Sequence, residues 1–182
     1  KRVATLDDMK GLKVRAADRI SADLVTTLGG TPISVPAPET YQSLSRGVVS
    51  AAVMPWSGVT TFKLQEVTEH HLDVPLGSIP GMVFIGKKTL EKLPPAAQAA
   101  IKAESGLPFS TAFGTWFETF SAGARKTVAG MAGQSVYALE PAELGRWKQA
   151  LAGLEAKWTG GTADGKRVLE ALRAELQKAR KR

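Results

Sequence analysis

The chain contains no cysteine, which excludes disulfides, thiolate metal sites and cysteine nucleophiles. Histidine is nearly absent too, with only the adjacent pair His70 and His71. Neighbouring residues point to opposite faces of a strand and splay apart on a helix, so the two do not form a chelating pair. No G-x-S-x-G elbow is present, and with so few bases a nucleophile–base pair has almost no possible members. No apolar run approaches the roughly 20 residues of a membrane-spanning helix, so no membrane insertion is expected. Catalysis and metal chemistry have no visible carrier, and no cofactor is expected. Asp7-Asp8 and Glu66/Glu69 read as a helix-leading cap and a surface face rather than an acid/base pair.

What the chain does have is ordinary globular material: 182 residues, 43% hydrophobic, with a net charge of +7. That is enough to bury a sizeable core. The basic excess raises nucleic acid as a partner, but the cations concentrate in a terminal helix, at Lys166, Arg167, Arg173, Lys178, Arg180, Lys181 and Arg182. They flank an apolar stripe of Val168, Leu169, Leu172 and Leu176 and do not interleave with aromatics as a base-stacking platform requires. A solvated helix face is the reading, and no nucleic-acid partner is expected. Lys1-Arg2-Val3 carries neither an initiator methionine nor an apolar signal region, so the sequence is expected to start downstream of a removed segment.

The first half alternates strand and helix patterns. Leu12, Val14 and Ala16 alternate with Lys13, Arg15 and Ala17 after Gly11, the period of a half-buried strand. Asp18 or Ser21 caps a helix over Ile20, Leu24, Val25 and Leu28, closed by Gly29-Gly30. Thr31 to Val35 is a second strand, Pro38-Glu39 opens a helix through Tyr41, Leu44 and Val48, and Ala51 to Met54 is a third strand. This order predicts an α/β fold with a mainly parallel, helix-covered sheet. Arg15 stands in the strand-like run, at a strand end, where a cation needs an anionic partner. A bound carboxylate and a structural acid such as Asp18 are the two candidates.

In the second half, Met82 to Ile85 reads as a short strand and Leu93-Pro94-Pro95 as a helix start. Phe113, Trp116, Phe117 and Phe120 follow the i, i+3, i+4, i+7 spacing of a helix stripe, prolonged by Ala124, Val128 and Met131 and ended at Gly133. Core packing is the expected role of that stripe, with a ligand surface as the other reading. Ser135 to Leu139 is a last strand, Leu144 to Trp158 one amphipathic helix, and Gly160-Gly161 a break before the basic one. The segment from Gly81 to Lys88 nearly spells a phosphate loop, but its centre is Met-Val-Phe-Ile, strand formers that cannot curl their N–H groups around phosphate.

An ordered set of residues carries a resemblance. Asp8-Met-Lys-Gly-Leu-Lys-Val-Arg15, Leu28-Gly-Gly-Thr-Pro32, Glu39-x-Tyr41-x-x-Leu44-x-x-Gly47-Val-Val49, Pro55-Trp56 and Phe62-Lys-Leu-Gln-Glu66-Val together resemble the dicarboxylate-binding (DctP) solute-binding proteins of TRAP transporters. Leu90-x-x-Leu93-Pro94 and the long helix fit as well. The resemblance corresponds to the C-terminal portion of such a protein, without most of the first lobe. It implies an α/β clamshell of the type II periplasmic-binding-protein kind. Residues 1–132 would form the ligand-binding second lobe with its long connecting helix, and residues 133–182 a strand and helices packing on the first lobe.

The function implied is a periplasmic, non-enzymatic subunit that captures an organic acid and hands it to TRAP membrane permease subunits. Arg15 matches the family's ligand arginine, whose planar fork holds a carboxylate through two charged hydrogen bonds. Met54 stands where sialic-acid-binding members place an asparagine, and Ala37 where some members present an aromatic. With Trp56 beside Met54, these departures point to an apolar, aromatic or keto acid rather than a sugar acid; ordinary core packing is the other reading of both residues. Ser78 is a further expected polar contact. A ligand-sensing binding protein for a receptor and an α/β enzyme are the alternatives.

Overall fold

A computed structural model describes residues 1–77 and 81–180 of the chain. Its first half follows the alternation just read. Strand β1 (Lys13–Ala16) pairs in parallel with β2 (Thr31–Ser34) on one side and with β3 (Ala51–Ala52) on the other. The register sets Arg15 between Ile33 and Ala52. Helix α1 (Arg19–Thr27) starts where the Asp18 carboxylate accepts the Ser21 N–H at 2.8 Å, and the Ser21 hydroxyl accepts the Asp18 N–H in return. Just past its end stands Gly29, whose φ of +91° is open to glycine without strain. At Gly30 the constraint is space: an added Cβ would lie 3.0 Å from Val25 Cγ1.

Val14, Leu12, Leu24, Val25 and Leu28 form the core between sheet and α1, closed by Val3, Met9 and Trp147. Each fully buried side chain of this size contributes about 1.5–3 kcal/mol. Short helices α2 (Thr40–Ser45) and α3 (Trp56–Thr61) follow β2 and β3. Two-stranded parallel pairing then joins β4 (His70–Leu72) to β5 (Ser135–Tyr137). Between them run α4 (Lys87–Glu91), α5 (Pro95–Ala103) and the 23-residue α6 (Leu107–Ala129). Val128 of α6 is buried against Val59 and Leu64, which seats the end of α6 beside α3.

Four expectations are corrected. Met82–Ile85 forms no strand, because no ladder partner meets it among the described residues, and its side chains are exposed. The aromatic stripe of α6 is not core: Phe113 is 41% and Trp116 56% exposed, since the first turns of α6 extend past the elements that bury its last turns. That helix includes Pro108, tolerated in its first turn, and ends at Ala129 rather than Gly133. The amphipathic segment after Pro141 is broken into α7 (Pro141–Leu151) and α8 (Leu154–Gly161) at Ala152-Gly153, where glycine weakens helix propagation. Helix α9 (Gly165–Ala179) follows, with Val168, Leu172 and Leu176 exposed.

Candidate functional site

Arg15 lies in the second half of β1, at the carboxyl ends of three parallel strands, where open α/β sheets place their ligands. It is only 4% exposed. Its Nε donates to the Val35 carbonyl at 2.9 Å and its Nη1 to the Val53 carbonyl at 3.1 Å, so the chain leaving β2 and the chain leaving β3 both grip the guanidinium. Two acceptors cannot use five donors, and Nη2 has no hydrogen-bond partner among the described residues. No ion pair compensates it there; the Asp18 carboxylate is engaged in capping α1. Burial pushes the Arg15 guanidinium below its usual pKa, and the field of Asp18 offsets this in part. A fixed, largely buried cation with unused N–H donors has the chemistry to accept an anion.

A cavity of about 330 Å³ opens beside it, within the range of small-ligand sites. Ala37, Met54 and Pro55 line it with Arg15, and so do Phe62, Phe117 and Phe120. Ser57 and Thr61 add hydroxyls to the lining, and apart from these and Arg15 the walls are apolar. Ala37 begins the single helical turn Ala37–Glu39 that follows β2. Met54 reaches the cavity across Gly58: a Cβ there would overlap Met54 Sδ and lie 2.8 Å from Met54 Cγ.

Of the residues picked from sequence, Arg15, Ala37 and Met54 therefore meet at one cavity. Trp56 does not line it. Its indole N–H donates to Asp73 Oδ1 at 3.0 Å, and its ring lies 5.8 Å from that of His71. Ser78 lies outside the described residues.

Sequence reasoning placed Phe117 and Phe120 on the aromatic stripe but favoured core packing over a ligand surface, whereas both line the cavity. It also missed Asp73, whose Oδ2 accepts from Arg125 Nε at 2.6 Å. Burial raises the Asp73 pKa, but the hydrogen bonds from Trp56 and Arg125 outweigh it and the net shift is downward. His71 itself bonds Gln134 at 2.6 Å. Among the described residues, no three acidic or histidine side chains group to hold a metal, and no helix is long and apolar enough to cross a membrane.

Residues 1–159 match the family described as bacterial extracellular solute-binding protein, family 7, DctP. The chain belongs to the DctP family. The family is one of binding proteins, not enzymes, and the fold of this DctP chain recurs in solved TRAP solute-binding proteins. A marine metagenome protein from an unidentified microbe, specific for aromatic acid ligands and bound to metahydroxyphenylacetate, is 27% identical, with a TM-score of 0.86 over 98% of this chain and 58% of its own. A protein from Rhodoferax ferrireducens with copurified benzoate is 29% identical, with a TM-score of 0.85 over 100% of this chain and 59% of its own. One from Bordetella bronchiseptica with bound (R)- and (S)-mandelate is 26% identical, with a TM-score of 0.80 over 98% of this chain and 58% of its own. An uncharacterized Salmonella typhimurium protein is 28% identical over 102 residues, 56% of this chain and 31% of that one. The chain thus spans well under two thirds of the length of these relatives.

Proposed function

We propose that this chain is part of the extracytoplasmic, periplasmic solute-binding subunit of a TRAP transporter, and that it captures an organic acid anion for delivery to membrane permease subunits. The observation that carries this reading is Arg15, a buried guanidinium gripped by two carbonyls with free N–H groups beside an apolar cavity. A carboxylate docked on it forms charge-assisted hydrogen bonds of about 1.5–3 kcal/mol each. The remaining wall, Met54, Phe62, Phe117 and Phe120, suits a flat apolar body, and three similar proteins were solved with aromatic acids. Ala37 leaves room there.

In this reading residues 1–132 carry the ligand and residues 133–182 return toward a further lobe. Packing of that lobe on Val168, Leu172 and Leu176 would cover a stripe that α9 leaves exposed.

The test is a thermal-shift and calorimetric screen of the intact protein against mono-, di-, keto- and aromatic carboxylates beside Arg15→Ala, since a ligand that binds only the folded state raises the melting temperature. A stabilising acid whose effect disappears in the variant supports the reading. A bound acid that the variant holds equally well refutes Arg15 as the anchor. Turnover of the acid would revive the enzyme reading, and a chemoreceptor in place of the permease as partner would favour the sensing one.

A further inference from the structure

The cavity is made by two separate helical regions. Met54 and Pro55 lead into α3 and Gly58 lies within it, whereas Phe117 and Phe120 belong to α6. Its width is set by how these two helices sit against each other. Their shared core, Val59, Leu64 and Val128, is apolar and therefore non-directional. The Asp73 carboxylate supplies what that core lacks. Its Oδ1 takes the indole N–H of Trp56, the first residue of α3, and its Oδ2 takes the guanidinium of Arg125 on α6. The backbone of Asp73 is itself fixed, because its N–H donates to the Tyr137 carbonyl at 2.7 Å and so extends the β4–β5 ladder. Trp56 is held from a second side by the His71 ring, 5.8 Å away. One carboxylate on a rigid strand end thus ties both walls of the cavity to the same point.

We propose that Asp73 is a positioning residue that holds α3 and α6 at the spacing an aromatic acid requires, and so gives the Arg15 site its preference for flat apolar bodies. This rests on the solute-binding reading above. Arg15 draws its own support from Val35 and Val53 and not from Asp73. Anchoring of a carboxylate and fitting of its body are therefore separable. A small acid uses the first alone; an aromatic acid uses both.

The experiment measures calorimetric affinities of the intact protein for benzoate and for acetate, in the wild type, Asp73→Asn, Arg125→Met and Arg15→Ala. Arg125 is half exposed, so Arg125→Met cuts the α6 arm of the clamp without opening a buried site. Benzoate binding is expected to weaken roughly tenfold in both clamp variants, the equivalent of one charged hydrogen bond. Acetate binding should stay within about twofold, since it needs Arg15 only. Arg15→Ala should weaken both by about 30-fold or more. Parallel losses of benzoate and acetate, or benzoate affinity unchanged in both clamp variants, overturn the proposal while leaving the solute-binding reading intact.

If neither acid binds the wild type, it is the solute-binding reading that fails for these acids, and hydrogen exchange then decides on Asp73 without any ligand. Faster amide exchange across residues 56–61 and 117–128 in Asp73→Asn, at an unchanged melting temperature, supports the clamp; identical exchange rejects it.

Discussion

The two ends of α6 differ in how much of their apolar face is covered. Toward its C-terminus Ala124 is buried and Val128 is fully so, packed on Val59 and Leu64. In its first turns Phe113 and Trp116 are exposed and lie against aromatic neighbours of the same helix, with Phe113–Trp116 centroids 5.6 Å and Trp116–Phe120 centroids 5.4 Å apart. Both ends show the same helical periodicity of apolar residues. Periodicity therefore fixes which face of a helix is apolar, while whether that face is covered depends on the reach of neighbouring elements. Between the ends lie Phe117 and Phe120, still 38% and 39% exposed but bordering the cavity beside Arg15. The cavity sits where cover runs out.

The largest effect that would sharpen this contrast is on the covered side. Trp147 of α7 is buried in the core with Val3, Met9 and Leu24, and Trp147→Ala should cost about 3–5 kcal/mol of stability. A denaturant melt checks it; a loss near zero would show that α7 is not held there. Next comes Arg15→Ala, with ligand affinity lowered by about 2–4 kcal/mol because a desolvated carboxylate loses its cation. Arg15→Lys should recover little of that affinity, since an ammonium cannot reach two carbonyls and a ligand with the geometry of a fork. Equal affinity in Arg15→Lys and wild type would demote the fork to a simple charge.

Gly58→Ala probes the wall itself. The new methyl must displace Met54, the flexible side chain that crosses Gly58 into the cavity. Overpacking of this kind costs about 1–3 kcal/mol, and it should appear as weaker binding of bulky acids. Titrations of short and bulky acids against this variant separate loss of space from loss of fold: only the bulky ones should suffer.

The response to acid is expected to be smaller. Asp7, Asp8, Asp23, Asp73 and Glu143 all hold their protons less tightly when folded than their ordinary values of 3.8 and 4.5 imply. A carboxylate with a depressed folded pKa stabilises the fold above its unfolded pKa, and that stability is lost as pH falls through the folded value. The melting temperature should thus be level from pH 7 to about pH 5 and drop below about pH 4. Asp8 contributes through the Ala4 and Thr5 N–H groups and the Thr5 hydroxyl, so Asp8→Asn should flatten the lower limb of that curve.

How far the sequence revealed this arrangement depends on the span of each interaction. The Asp18–Ser21 cap, the Gly29-Gly30 closure and the β1 alternation were legible because their partners lie within a few residues. Arg15 was legible as a charge in an apolar run, but not the carbonyls that grip it, which come from 20 and 38 residues away. Asp73 gave no local signal at all, since its partners Trp56 and Arg125 lie 17 and 52 residues off. Met82–Ile85 failed in the opposite direction: strand-forming residues are no strand without a neighbouring ladder.

The bare end of α6 yields the smallest expected effect and the sharpest use of the comparison. Phe113 lies 5.6 Å from the Phe109 ring and 6.0 Å from the Phe117 ring, and it is buried by nothing outside α6 to the depth that Val128 is. Removing such a side chain from a surface shifts stability by about 0.5 kcal/mol or less, whereas removing a buried phenylalanine costs about 3–5 kcal/mol. Phe113→Ala in the intact protein therefore reads out what lies over those turns. A melt within the smaller range means that α6 is bare there as it is in this chain. A loss in the larger range means that a further lobe covers the aromatic turns, and the boundary between core and ligand wall would then lie beyond Phe113, leaving Phe117 and Phe120 between two packed ends.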